Sequence, residues 1–263
     1  MAAKSIITVL LVAGLLWPAA GLAAMEPLPK LRAGTPPHSV LGNIMGANHQ
    51  ALKDLDPTAP GPRLTESPHL VWLADPDPRL RPAMVWGEQK GGIFTVRNLG
   101  NQLETATAAL DYGIRQLYAP VLLITGHSDS HAIRLFQKGY AHLPAATRGE
   151  LNHLHPALGH LQIIDREARD ERAAAARHLR AVEANVDYQV KRAMERYRER
   201  IEMGRLVVVG AVVDLANTYG TGAGRLLLIN LNGETEPQRL KASTHLVRVP
   251  PEMRDFIGRR PIP

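Results

Sequence analysis

The sequence predicts an α/β fold around a mainly parallel sheet, and three observations carry that prediction. Short apolar runs are bounded by turn residues, as in His69-Leu-Val-Trp-Leu-Ala stopped by Asp75-Pro-Asp-Pro. Amphipathic stretches of helical period alternate with those runs. Two polar clusters, Asp75 to Arg79 and His127 to His131, fall just after predicted strands. Buried strands read as brief apolar runs, and strands alternating with helices favour parallel pairing. Ligands in such sheets bind at the carboxyl ends of the strands, so both clusters could converge on one site.

The elements follow in order. After the run ending at Ala74, Gly92-Ile-Phe-Thr-Val-Arg is a second strand. Leu103, Ala106, Leu110, Ile114 and Leu117 recur near helical spacing, which predicts an amphipathic helix over that stretch. Ala119-Pro-Val-Leu-Leu-Ile-Thr is a third strand, and Gly126-His-Ser-Asp-Ser-His leads into a helical stretch to about Tyr140. Asp165 to Met203 is a long charged helix or helix pair. Its stripe of Val182, Val186, Val190, Met194, Tyr197 and Ile201 is a packing face for the sheet or a partner subunit. Leu206-Val-Val-Val-Gly-Ala-Val-Val is a fourth strand, paired with Arg225-Leu-Leu-Leu-Ile-Asn across a Gly-rich turn. Residues 251–263 are polar and Pro-rich and are expected to be a loosely held tail.

The chain of 263 residues is long enough for one large domain or two small ones, at roughly 100–200 residues per domain. Apolar residues at 45% and charged residues at 21% exclude a wholly disordered chain and a polytopic membrane protein. The absence of cysteine excludes a disulfide scaffold, a thiol nucleophile, a Cys-ligated zinc site and an iron–sulfur cluster. Lys4, the apolar run Ile6 to Trp17 and the small residues after Pro18 read as a secretory signal over residues 1–24. The run is shorter than the about 20 residues that span a bilayer, so no stable membrane anchor is expected. Export to a bacterial periplasm is the expected localisation. Residues 25–62 form a Pro/Gly-rich arm with a short helix near Val40 to Leu52, and residues 63–250 form the main domain. The net charge of +6 falls to +5 without Lys4, and basic residues are mixed with acidic ones from Asp165 to Glu202, so no nucleic-acid partner is expected.

Three chemistries can be read from the residues themselves. Gly220-Thr-Gly-Ala-Gly-Arg resembles a phosphate cradle, but it leads into an apolar strand rather than a helix, so it reads as a hairpin turn. Gly126-His-Ser-Asp-Ser approaches a nucleophile elbow with Ser128 as nucleophile and His153, His155 or His160 as a later base. Ser130 stands where that elbow has its second glycine. A metal site is the third. His127 and His131 share one face if the helix begins early, and Asp75, Asp77 and Asp129 offer carboxylates.

An ordered set of motifs runs from about Val40 to Leu231. Gly46-Ala-Asn-His-Gln-Ala is similar to a helical G-N-x-x-F. Asp75-Pro-Asp-Pro-Arg79 is similar to C-x-D-x-R. Phe94-Thr-Val-Arg-Asn-Leu-Gly-Asn101 is similar to F-x-x-R-N-A-G-N. Ala108-Ala-Leu-Asp-Tyr-Gly is similar to S-L-E-Y-A, and Val121-Leu-Leu-Ile-Thr-Gly-His-Ser-Asp-Ser-His-Ala132 to V-V-x-G-H-S-x-C-G-A. Asn185-Val is placed like a late N-V pair, and Gly204 to Asp214 is similar to a closing strand. In this order, these are motifs of the β-class carbonic anhydrases, which the chain therefore resembles. The resemblance implies a three-layer α/β subunit that forms a homodimer or higher homo-oligomer through its N-terminal helix. It also implies reversible hydration of carbon dioxide to bicarbonate on zinc held by two Cys and one His, with an Asp–Arg dyad here at Asp77 and Arg79. Zinc serves by lowering its water's pKa towards roughly 7.

The chain departs from that pattern at the metal. Asp75 and Ser130 stand at the two Cys positions and His131 at the following glycine, while His127 keeps the His position. Ala83 and Gly92 replace a frequent Glu and Asp. A serine hydroxyl is neutral and hard where a thiolate is charged and soft, and structural zinc sites hold their metal with about 10–16 kcal/mol in total. The expectation is a fold without the family's zinc site, inactive in carbon dioxide hydration, with no cofactor, and kept for binding a small anion such as bicarbonate or a partner. The alternative is an active oxygen/nitrogen metal site for zinc or another divalent ion. It would draw on Asp75 and His127 with Asp77, Ser130 or His131 and catalyse carbon dioxide hydration or another hydrolysis.

Overall fold

The computed structural model describes residues 37–52, 68–87, 92–161 and 171–261. The chain divides into two units, Met1–Arg63 and Leu64–Pro263. In the first, α1 spans Pro37–Leu52, the helix expected near Val40, with Leu41, Ile44 and Met45 exposed. The expected signal segment, most of the expected arm and residues 162–170 lie outside the described residues.

The second unit is built on five strands: β1 (Leu70–Ala74), β2 (Ile93–Arg97), β3 (Val121–His127), β4 (Val207–Asp214) and β5 (Arg225–Leu231). Their order is β2-β1-β3-β4-β5, and only β5 runs antiparallel to its neighbour. All five apolar runs read as strands are strands, each within two residues of its expected start. The Gly-rich loop joins β4 to β5, so it is the hairpin turn its flanking sequence implied and opens no helix.

Alternation along each strand divides the apolar side chains between two faces, as the two-residue period of a pleated strand requires. Val71, Leu73, Leu122, Ile124, Val208, Val212, Leu227 and Ile229 enter the main core. It lies under α3 (Leu103–Asp111), α4 (His131–Lys138), α5 (Ala145–Asn152), α6 (His155–Leu158) and α7 (Glu171–Arg196). Leu70, Trp72, Leu123, Ala211 and Val213 face the other way, together with Leu80 and the short α2 (Ala83–Trp86). Leu231 continues that second face into a cluster with Leu240, Leu246 and Ile257 from the C-terminal segments. The expected helix over Leu103 to Leu117 is α3 continued by a wide π-turn at Tyr112–Gln116.

The long charged segment is α7 followed by α8 (Arg198–Glu202), and its valine stripe packs on the sheet. The packing is close because the strands carry glycine there. A Cβ at Gly126 would lie 2.5 Å from Val182 Cγ1, and one at Gly210 would lie 2.8 Å from Val186 Cγ1 and 2.9 Å from Val190 Cγ2. Two polar residues of the same helix reach sideways. Gln189 Oε1 accepts the Leu103 amide at 2.9 Å, satisfying an open donor at the start of α3, and Asn185 donates to the Gly100 carbonyl at 2.8 Å.

The tail departs from expectation. Residues 251–256 form a 3₁₀ turn, Ile257 is buried and bridges to Leu228, and the Gly258 amide donates to the Leu228 carbonyl at 2.8 Å. Arg259 then pairs with Asp187 on α7. Polar composition hid this because one apolar residue and one arginine do the anchoring.

Candidate functional site

The site lies where β1, β3 and β4 reach their carboxyl ends. Asp75 directly follows β1, and His127 is the last residue of β3, so the parallel pairing of these strands brings them together. Ser130 sits at the N-cap of α4, where its Oγ accepts the Ile133 amide at 3.4 Å. The turn after β1 carries the dyad. Asp77 Oδ1 accepts the Arg79 amide at 2.8 Å, and the Leu80 amide donates to the Asp77 carbonyl.

The structure brings together Asp75, Asp77, Arg79, His127 and Ser130. The Ser130 hydroxyl donates to Asp75 Oδ2 at 2.8 Å, a fully buried contact. His127 is buried, and neither ring nitrogen has a hydrogen-bond partner. Its Nε2 faces two carboxylates, 3.5 Å from Asp75 Oδ2 and 3.8 Å from Asp77 Oδ2, both too long for a hydrogen bond. Arg79 grips Asp77 with Nε at 3.0 Å from Oδ1 and Nη2 at 2.7 Å from Oδ2, and gives Nη1 to Asp129 at 2.9 Å. Asp129 also takes Arg134.

These pairings set the charges. The Arg79 hydrogen bond holds the Asp77 carboxyl well below its usual range, at about 2, although burial opposes it. The same contacts raise Arg79. Burial works against ionisation of Asp129, but Arg79 and Arg134 outweigh it and hold that carboxyl low. The guanidinium of Arg79 thus pairs with two carboxylates of its own chain while its side chain stays half exposed.

Other residues fall outside the group. His131 begins α4 and is exposed. It shares no helix face with His127, because the helix starts four residues later than that reading required. Ser128 donates its amide to the Val213 carbonyl and accepts the Ala216 amide on Oγ at 2.9 Å. Among the described residues, no histidine is one of its hydrogen-bond partners. His155 bonds Tyr140 at 2.8 Å instead, and His153 lies with Tyr188 and Arg192. The nucleophile–base geometry of a serine hydrolase is therefore not built at Ser128.

One positioning residue escaped the sequence. Arg97, at the end of β2, donates to the Asp77 carbonyl at 3.1 Å and to the Leu80 carbonyl, and stacks 5.3 Å from the Trp72 ring. It clamps the turn that carries the dyad. Its place in the Phe94 to Asn101 motif was the available signal.

The donor set can be tested against the zinc that the family resemblance implies. Zinc takes deprotonated donors at about 2.0–2.3 Å, three of them from protein in a catalytic site. His127 offers a nitrogen, and the His127–Asp75 separation suits two ligands of one ion. The third donor fails: both Asp77 oxygens are held by Arg79, and Ser130 brings a hydroxyl that is itself turned onto Asp75. Among the described residues, no three His, Asp or Glu side chains stand so as to hold a metal ion. The residues do not fit a three-ligand zinc centre.

Comparison with known proteins places the fold. The Helicobacter pylori (strain J99) carbonic anhydrase is 30% identical over 76 residues, 26% of this chain and 34% of the relative. The chain thus spans about a third of the curated relative it matches. Two solved structures share the fold. One comes from a study of two tetrameric β-carbonic anhydrases of Sordaria macrospora, with a TM-score of 0.57, 21% identity, and 73% of this chain and 95% of that one covered. The other is a Coccomyxa β-carbonic anhydrase in complex with acetazolamide, with a TM-score of 0.56, 20% identity, and 78% and 90% covered. The sequence model of the carbonic anhydrase family matches residues 70–221, from the first strand to the hairpin loop. With that match over more than half its length and with this strand order, the chain belongs to the carbonic anhydrase family, in its β-class fold.

Proposed function

We propose that this chain is a carbonic anhydrase homologue without zinc-hydroxide chemistry, and that it acts as an exported binding protein. One observation carries the reading: the side chains at the two positions where the family resemblance places thiolates are bonded to each other, Ser130 to Asp75 at 2.8 Å. The carboxylate at one of these positions already holds the hydroxyl at the other, beside a dyad closed on itself, so neither is turned towards a metal. Because Arg79 is spent on Asp77 and Asp129, a partner protein or a second copy of this chain is a better occupant of the fold than bicarbonate. Assembly as a homo-oligomer and export through residues 1–24 belong to this proposal.

The test is metal content by plasma mass spectrometry on mature protein dialysed against zinc, followed by stopped-flow carbon dioxide hydration. Metal well below one per chain and no hydration above the buffer rate are expected. One zinc per chain, with hydration that disappears in His127→Ala, would overturn the proposal. Such a result would favour the second reading, an Asp75–His127–Asp77 cation site reached when Asp77 leaves Arg79. The unpartnered His127 nitrogens are the observation that favours it. Export is checked by fractionating cells that express the full chain; retention of residues 1–24 in the cytoplasm would remove that part.

A further inference from the structure

A second cleft lies at the opposite end of the sheet from the Asp75–His127 cluster. It has a volume of about 550 Å³, within the range of small-molecule sites. It opens between the second half of α7, α8 and the turn after β5. The pairing of β4 with β5 fixes its distance from the site: Asn230 and Leu231 lie beside Gly210 and Val209, near the start of β4, whereas the site is at the end of β4 beyond Val213.

The lining has an apolar part and a charged rim. Met194 and Ile201 supply apolar surface, both partly buried against the main core. Five charged side chains surround them. Two are already neutralised: Asp187 takes Arg259 and the Asn230 amide at 2.8 Å, and Glu195 takes Arg192 at 2.9 Å. Three have no ion pair or side-chain hydrogen bond among the described residues, namely Lys191, Arg198 and Glu202. Lys191 on α7 and Arg198 at the start of α8 both line the cleft. The uncompensated charge of the rim is therefore one positive unit.

We infer that this cleft binds an organic monoanion with an apolar body, of the carboxylate class, whose head group meets Lys191 and Arg198 while its chain or ring covers Met194 and Ile201. Charge selects the head group. A monoanion leaves the rim neutral, whereas a phosphate monoester would bring nearly two negative charges beside Glu202. An Arg and a Lys are also suited to the two oxygens of one carboxylate. The apolar floor selects the body, since an inorganic anion would leave Met194 and Ile201 without a contact. The inference is independent of whether the Asp75–His127 cluster binds metal.

The test uses the full mature chain and three probes in titration calorimetry: octanoate, 1-octanol and acetate. Octanoate is expected to bind saturably at one per chain. Acetate, with the head group and no body, and 1-octanol, with the body and no charge, should each bind roughly tenfold more weakly or not at all. The double variant Lys191→Gln/Arg198→Gln changes only exposed side chains and should fold normally, with octanoate affinity reduced roughly tenfold. Glu202→Gln should leave octanoate binding equal or tighter. No saturable octanoate binding, equal binding of 1-octanol, or an unchanged affinity in the double variant would each overturn the inference.

Discussion

Two buried carboxylates, Asp75 and Glu183, are treated very differently by the molecule. Glu183, on α7, is enclosed by partners. Arg180 donates at 2.7 Å, the Tyr219 hydroxyl donates to the other oxygen, and Arg259 of the C-terminal segment stands 3.5 Å away. Burial pushes the Tyr219 phenol up, and the Glu183 charge adds to that, so the hydroxyl stays a donor. Among the described residues, Asp75 has one hydrogen bond, from Ser130, and beside it a buried imidazole with no partner on either nitrogen. The first arrangement joins the hairpin loop, the long helix and the tail and leaves nothing for a ligand. The second holds unspent hydrogen-bonding capacity at the strand ends, which is costly in a core unless something meets it. A buried charge saturated by its own chain serves the fold, whereas one left partly unsatisfied at strand ends is a candidate for a function beyond it.

The sharpest way to break this contrast is to restore the thiolates. Asp75→Cys/Ser130→Cys should give a chain that binds about one zinc per chain, with apparent affinity raised over the unaltered chain on the order of 10⁴-fold or more. Metal analysis and a competition titration against a chelator would measure it. Failure to gain zinc would mean that the backbone at the strand ends has itself diverged.

The scaffold side of the comparison is tested next. Gly210→Ala drives a methyl into Val186, Val190 and Asn230 Cβ, all within 2.9 Å. It should cost about 3 kcal/mol of stability in urea unfolding, because the helix cannot move off the sheet locally. A cost below about 1 kcal/mol would show that α7 is less tightly seated than described.

Glu183→Ala and Asp75→Ala compare the two carboxylates directly. The first should cost about 2 kcal/mol, since Tyr219 loses its acceptor and Arg180 and Arg259 lose a counter-charge that is only partly replaced by solvent. The second should cost about 1 kcal/mol or less, the value of one hydrogen bond. Equal costs in paired unfolding curves would mean that both carboxylates serve the fold alike.

The smallest effect is a pH dependence. Asp77 is held at about 2 in the folded chain, below its ordinary carboxyl value of 3.8. A depressed carboxyl stabilises the fold above its unfolded value and loses that contribution as pH falls through the folded one. The loss therefore falls between about pH 4 and 2, and solvent screening at the half-exposed Arg79 keeps it below about 1 kcal/mol. Asp77→Asn should flatten that part of a Tm-against-pH curve; an unchanged slope would mean that the dyad is not formed in solution.

Much of the architecture was legible because it is written in local pattern. Strand runs such as Val121 to Thr125 and the valine stripe of α7 announce themselves by period, and turn residues bound them. Less of the site was legible. His127, Asp75 and Asp77 could be named from their motifs, but their pairings could not. The commitment of Arg79 to Asp129, the clamp of Arg97 on the dyad turn and the Ser130–Asp75 bond all join residues from different strands. His131 was misplaced because the spacing of two histidines does not say where a strand ends and a helix begins. The tail was misread because its anchors, Ile257 and Arg259, find their partners Leu228 and Asp187 only after the sheet and α7 are in place.

By itself, then, the sequence determined the α/β class, the five strands, the family and the absence of any cysteine, because each is a property of residue identity or short-range period. The tertiary structure decided the pairings: whether Asp75 and Ser130 face a ligand or each other, whether Arg79 is free or paired, and where an uncompensated Lys191 and Arg198 meet an apolar floor. Hydrogen bonds and ion pairs act over a few ångströms, and only the folded chain brings residues from distant parts of the sequence within that range.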